Sequence, residues 1–290
     1  MKGHILYNPI AGNGAKEEQV KALSEWFEGE LSYREIHEIS SYKEFFASIS
    51  EEDTVILCGG DGTLNRFVND TEGLDVKNEI LYFASGSGND FLRDLEKKAE
   101  DGPFSIKDYI KDLPMVEVKG KRYRFLNNVG FGIDGYCCEV GDAMRAASDK
   151  PVNYTAIAIK GLLFHYKPTA ATVTVDGVEY RYKRVWLAPT MKGRFYGGGM
   201  MAAPAQDRKD PDGKLSVMLF YGKGRLRTLI AFPSIFKGEH INHRKMVKIH
   251  EGRDITVTFD RPAPVQIDGE TILDVTSYRA VARAEALVNA

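Results

Sequence analysis

The sequence predicts two joined units, an N-terminal α/β nucleotide-binding domain and a C-terminal antiparallel β-sandwich domain. Three observations predict this class. In the first 118 residues, strand-like runs are followed by glycine-bearing loops and helical stretches, the alternation of a parallel sheet. After about Val118 that rhythm stops, and from Ala170 onward β patterns dominate. Charge divides at the same place. Residues 1–118 hold 12 Lys and Arg against 24 Asp and Glu, and residues 119–290 hold the other 27 against 17, so net charges of −12 and +10 sum to −2.

In chain order, His4–Tyr7 is a short apolar run that stops at Asn8-Pro9 and enters the loop Ala11–Gly14. From Lys16, the apolar residues Val20, Leu23, Trp26 and Phe27 recur at helical spacing. Thr54–Cys58 is a β-branched run of the kind buried in parallel sheets, and it leads directly into Gly59-Gly60-Asp61-Gly62-Thr63. Leu64, Phe67 and Val68 begin a helix, and Ile80–Ala84 is the next strand. In the second half, Arg122–Asn128 is expected as a strand, with Gly135–Ala147 and Val152–His165 as helices. Thr172–Asp176 and Glu179–Leu187 form a hairpin across Asp176-Gly177, a favoured two-residue turn. Leu215–Tyr221, Met246–His250 and Ile255–Phe259 add strands around a helical stretch near Arg225–Phe236.

Composition excludes several classes. A hydrophobic share of 43% beside 28% charged residues belongs to a packed chain rather than a disordered one. No run approaches the roughly 20 apolar residues of a membrane-spanning helix, and the N-terminus turns polar too soon for a secretory leader. Cys58, Cys137 and Cys138, odd in number and two adjacent, argue against a disulfide framework and for a reducing, cytoplasmic compartment.

The strongest chemical signal is Gly59–Thr63, between a buried strand and a helix. Glycines admit a phosphate close to the backbone, and the helix N-terminus offers free N–H groups to an anion. Asp61 would repel phosphate directly, so it is expected to engage a phosphate-bound Mg²⁺ or a hydroxyl. Asn8–Gly14 and Ser85–Phe91 follow other strands of the same sheet and would converge on the same edge. Neither a Walker A loop nor the first-turn Rossmann glycine pattern is present.

These elements resemble the bacterial diacylglycerol kinase and lipid kinase family, related to sphingosine kinases. NPIAGNGAK, GGDGTLN, GSGNDF, NNVGFGID, the stretch from Gly197 to Val217 and VQIDGE occur in the family's order over residues 8–270. GGDGT alone is shared with NAD kinases and phosphofructokinases. The resemblance implies ATP and Mg²⁺ as cofactors and an active site between the two domains, with residues 276–290 returning to the first. It implies ATP contacts at Asn8, Pro9, Ile10, Ala11 and Gly12. Further contacts fall at Gly59, Gly60, Asp61, Gly62, Thr63, Leu64, Asn65 and Ser87, and at Ser40 beside a family threonine. Glu270 would be the proton acceptor, with Asp268 its rival, and a structural Mg²⁺ would sit at Asp212 with the carbonyls of Lys209 and Lys214. A homodimer is common in the family.

Two positions depart from the family pattern. Arg66 replaces a glutamate, and Ser87 replaces a threonine but keeps its hydroxyl. The implied partner is a lipid at the bilayer surface, met by a peripheral protein on the inner membrane face and favoured by the basic second half. An NAD-kinase-like phosphotransferase and a nucleotide-binding protein without catalysis are the alternatives. His240 and His243 are expected to be solvated rather than metal ligands. Arg181–Arg184 lacks a surrounding nucleic-acid module, so no nucleic acid is expected. The apolar segment Val152–Pro168 is expected to pack on the sandwich rather than touch a membrane.

Overall fold

The computed structural model describes residues 2–8, 22–86, 89–148 and 152–283, and they divide into two units at Asp112 and Leu113. Unit 1 is built on β1 (Lys2–Tyr7), β2 (Glu30–Glu35), β3 (Thr54–Gly59), β4 (Glu79–Ala84) and the short β5 (Phe104–Ser105). Their order is β2-β1-β3-β4-β5, parallel except for β5. Every residue of β3 is buried, as a central strand covered on both faces requires. Ile56 and Cys58 join Ile5 and Leu23 in one apolar cluster, while Val55 and Leu57 point to the opposite face.

Helices α1 (Tyr42–Ala47), α2 (Asp61–Asp70), α3 (Asp90–Asp94) and α4 (Lys107–Ile110) complete the unit. The Ser41 side chain caps α1 by accepting from the Glu44 N–H at 3.2 Å, a contact worth about 1 kcal/mol. Tyr42 then meets Phe67 of α2 edge to face at 5.4 Å. Leu64, Phe67 and Val68 are buried, as their helical spacing predicts.

Unit 2 comprises β6 (Met115–Val118), β7 (Lys121–Arg124), β8 (Asn128–Gly132), β9 (Thr169–Val175) and β10 (Val178–Met191). It continues with β11 (Phe195–Tyr196), β12 (Met200–Met201), β13 (Leu215–Tyr221), β14 (Val247–Gly252), β15 (Asp254–Ile267) and β16 (Glu270–Val281). Helices α5 (Ile133–Ala147), α6 (Tyr154–Lys160) and α7 (Arg225–Ala231) pack with it, α6 running into a π-turn at Gly161–His165. The long strands β10 and β15 make the sandwich. Their first halves pair with β9 and their second halves with β8, with register shifts between. Such irregularities bend a strand, so each strand serves both layers. Phe131, Val173, Val185, Val257, Phe259 and Val265 fill the space enclosed.

Several expectations need correction. The strand expected over Arg122–Asn128 is two strands, because Phe125–Asn127 leaves the ladder to form a loop held by side chains described below. The division falls before Val118, since Met115–Val118 pair with Val281–Tyr278 in the second sheet. For the same reason residues 276–281 belong to unit 2, and residues 284–290 lie outside the described residues. His240 is fully buried, its Nε2 3.0 Å from the Ala202 carbonyl, rather than solvated.

Candidate active site

In unit 1 the chain passes from β1 to β2 on one side and returns to β3 on the other. In parallel sheets this switch leaves a crevice beyond the C-terminal strand ends, the usual seat of a ligand. Asn8 follows β1, Gly60 and Asp61 follow β3, and Ser85 and Gly86 follow β4 at that edge. Pro9, Ile10, Ala11, Gly12 and Ser87 lie outside the described residues. Ser40 is exposed on the connection after β2, just before α1.

Two glycines bring the loops together. A Cβ on Gly86 would stand 2.4 Å from the Gly60 Cα, so the two backbones touch where no side chain fits. Gly62 is different. Among the described residues, a Cβ there meets nothing within 4 Å, although Gly62 is the second residue of a ten-residue helix. Packing does not explain this glycine, and an approaching ligand would. Thr63, Leu64 and Asn65 are buried and anchor the first turn from below.

Asp61 takes a part the sequence did not suggest. Its carboxylate accepts from the N–H groups of Asp90 at 2.6 Å and Phe91 at 3.2 Å, capping α3. It therefore pins the third glycine-bearing loop to the second. Arg66 is exposed and pairs with Asp70 one turn on, at 3.4 Å.

In unit 2, Ile267–Glu270 closes the β15–β16 hairpin, with Asp268 and Gly269 both at positive φ, as the Asp-Gly turn requires. The Asp268 carboxylate accepts from the backbone N–H groups of Leu126, Asn127 (2.7 Å) and Asn128 (2.9 Å). Buried Arg208 binds the same loop at the Leu126 carbonyl and the Asn127 side chain. Asp268 thus holds a loop in place. Glu270, two residues on, stands exposed.

Residues 2–114 match the diacylglycerol kinase catalytic domain, and residues 127–287 match the YegS C-terminal NAD kinase beta sandwich-like domain. The chain belongs to the diacylglycerol kinase family of lipid kinases. It is 24% identical to a diacylglycerol kinase of Bacillus subtilis (strain 168), over 93% of this chain and 89% of that one. It is 26% identical to a diacylglycerol kinase of Mycobacterium tuberculosis (strain H37Rv), over 65% and 62%. A crystal structure of a diacylglycerol kinase from Bacillus anthracis (strain Sterne) shares the fold. Its TM-score is 0.60 at 20% identity, covering 97% of this chain and 93% of that one.

One residue of this diacylglycerol kinase family member was not singled out from its sequence. Asp134 is buried at the start of α5, and its Oδ1 accepts from the Gly135 N–H at 2.9 Å. The Gln266 amide lies 3.4 Å from its other oxygen, and the Gln266 carbonyl oxygen accepts from the Gly269 N–H at 2.9 Å, linking Asp134 to the turn before Glu270. Burial pushes its carboxyl up to about 6, against hydrogen bonds that favour the ion. NNVGFGID ends on this aspartate, so the motif itself was the available signal.

The expected Mg²⁺ loop is closed by other means. The Gln206 amide donates to the Lys214 carbonyl at 2.8 Å, and Asp207 and Asp210 accept from the N–H groups two residues on. The Asp212 carboxylate is held by Arg253 at 2.5 Å, with Lys214 at 3.6 Å. Among the described residues, no three His, Cys, Asp or Glu gather as a metal cage. An ion held by the Asp212 carboxylate and the carbonyls of Lys209 and Lys214 would share that carboxylate with Arg253.

Proposed function

We propose that this chain transfers the γ-phosphate of ATP, taken as its Mg²⁺ complex, to a hydroxyl of a membrane lipid such as diacylglycerol. The observation that carries the reading is Gly62, a helix-start glycine facing open space at the switch point of the sheet. Phosphoryl transfer asks little covalent chemistry of a protein and much positioning and charge stabilisation. The start of α2 supplies the second, since the dipole of a helix favours an anion at its N-terminus.

In this reading Asn8–Gly12, Gly59–Asn65, Ser40 and Ser87 surround the nucleotide, and Asp61 keeps two of the loops in register. Glu270 is the base that takes the proton of the attacking hydroxyl. Asp268 is the weaker candidate, because three backbone donors already occupy its oxygens. A base contributes about 10²- to 10⁴-fold to such a step. Among the described residues, no helix is long and apolar enough to cross a membrane. A peripheral protein working at the inner membrane face agrees with this.

The sandwich is of a kind that also carries the name of NAD kinases, so the test must offer both acceptors. The protein is incubated with labelled ATP, Mg²⁺ and either a total lipid extract or NAD. Label entering the lipid fraction is expected. Label entering NAD alone would replace this reading with the soluble phosphotransferase.

A further inference from the structure

We infer that the outer surfaces of Tyr154–His165 and of Arg225–Asn242 form a docking surface for an anionic lipid bilayer. Among the described residues, twelve large hydrophobic side chains are exposed. Seven of the twelve (Tyr154, Ile159, Phe164, Leu226, Ile230, Phe236 and Ile241) fall in these two segments. The three most exposed are Ile230 at 73%, Phe164 at 70% and Leu226 at 68%. Core packing does not account for them. The same segments already bury Ile157, Leu162, Ala231 and Ile235 on their inner side. A helix facing water normally turns polar residues outward, and these elements are apolar on both sides.

The two segments adjoin. Arg225 donates to the Leu162 carbonyl at 2.8 Å, and its guanidinium lies 5.7 Å from the Trp186 ring beneath. Leu226 and Ile230 stand four residues apart on α7 and therefore share a face. Charge selects the occupant. Tyr154–His165 and Arg225–Asn242 contain Lys160, Arg225, Arg227 and Lys237, and Glu239 is their one acidic residue. Exposed apolar side chains set among cations suit the interface of an anionic membrane, where the first insert and the second meet headgroups. A second copy of the chain is a poor partner, because a two-fold contact would bring the same cationic surface against itself. The expectation of simple packing for Val152–Pro168 thus describes the inner side of that segment.

The inference deepens the lipid kinase reading by naming where the bilayer sits, yet binding can be read without turnover. Wild type and two variants, Phe164→Ser with Leu226→Ser and Ile230→Ser, and Arg227→Glu with Lys237→Glu, are sedimented with vesicles. The vesicles are phosphatidylcholine alone or in equal parts with phosphatidylglycerol. Wild type is expected to bind the anionic vesicles and scarcely the neutral ones. The apolar variant should bind them at least about ten-fold more weakly, and the charge variant about five-fold more weakly per lost cation. All should melt alike, since these side chains are exposed. Vesicle binding that ignores both variants overturns the inference, as does a dimer that the apolar variant dissociates while vesicle binding persists. Failure of the kinase reading looks different: no phosphate transfer to any lipid, with vesicle binding as predicted.

Discussion

Gly62→Ala adds one methyl group at a position where the described residues offer nothing within 4 Å. In a helix alanine is favoured over glycine by about 0.5–1 kcal/mol, so the fold should hold or gain slightly. The Cβ of a helical residue leans toward the N-terminus, here toward the first-turn N–H groups of α2. A phosphate bound there would be pushed away from at least one donor. A hydrogen bond to a charged group contributes about 1.5–3 kcal/mol, so nucleotide binding should weaken about ten- to a hundred-fold. The control is Gly86→Ala, whose Cβ would strike the Gly60 Cα at 2.4 Å. That backbone contact cannot yield cheaply, and a loss of about 1–3 kcal/mol in stability is expected. Calorimetric titration with ATP and Mg²⁺, beside a thermal melt, separates the two effects. A Gly62→Ala protein that binds ATP as tightly as wild type would refute the phosphate assignment and leave the loop a plain turn.

Glu270→Gln should keep nucleotide binding and lose about 10²- to 10⁴-fold in turnover. Asp268→Asn, by contrast, should lose roughly 1–3 kcal/mol of stability, because an amide cannot accept from all three loop N–H groups; full turnover in Glu270→Gln would shift the base elsewhere. Asp134 titrates near 6 when folded against 3.8 unfolded. Its raised value favours the folded state below pH 3.8, and that advantage disappears as pH rises through 6. Asp134→Asn should therefore gain about 3 kcal/mol relative to wild type between pH 4 and pH 7. Urea unfolding followed through buried Trp186 measures this, and parallel pH profiles would contradict it. The pairing of Asp212 with Arg253 predicts equal melting temperatures in Mg²⁺ and in EDTA without nucleotide. A Mg²⁺-dependent rise would mean that the ion shares that carboxylate.

Much of unit 1 was legible because its signals are local. TVILC before GGDGT is a buried strand meeting a helix start, and both the period of Leu64, Phe67 and Val68 and the chemistry of the loop lie within a few residues. Unit 2 was read less completely because its decisive features are long-range. The bends in β10 and β15 appear in no short window, and the pairing of Met115–Val118 with Tyr278–Val281 joins residues at least 160 apart. The site divides in the same way. Asp61 and Asp268 stood out by motif, but their partners, the N–H groups at 90–91 and 126–128, are backbone atoms that no residue type announces. His240 looked like one of a solvated pair because its burial depends on the Ala202 carbonyl, 38 residues away.

The central claim is tested most directly by following the γ-phosphate itself. Wild type and Glu270→Gln are given ATP labelled in that phosphate, Mg²⁺ and diacylglycerol dispersed in vesicles, and the organic extract is analysed by mass spectrometry. Labelled phosphatidic acid from wild type, with at least about a hundred-fold less from the variant, is the predicted result. An organic phase free of label for every lipid offered, from protein shown to bind ATP, would contradict it.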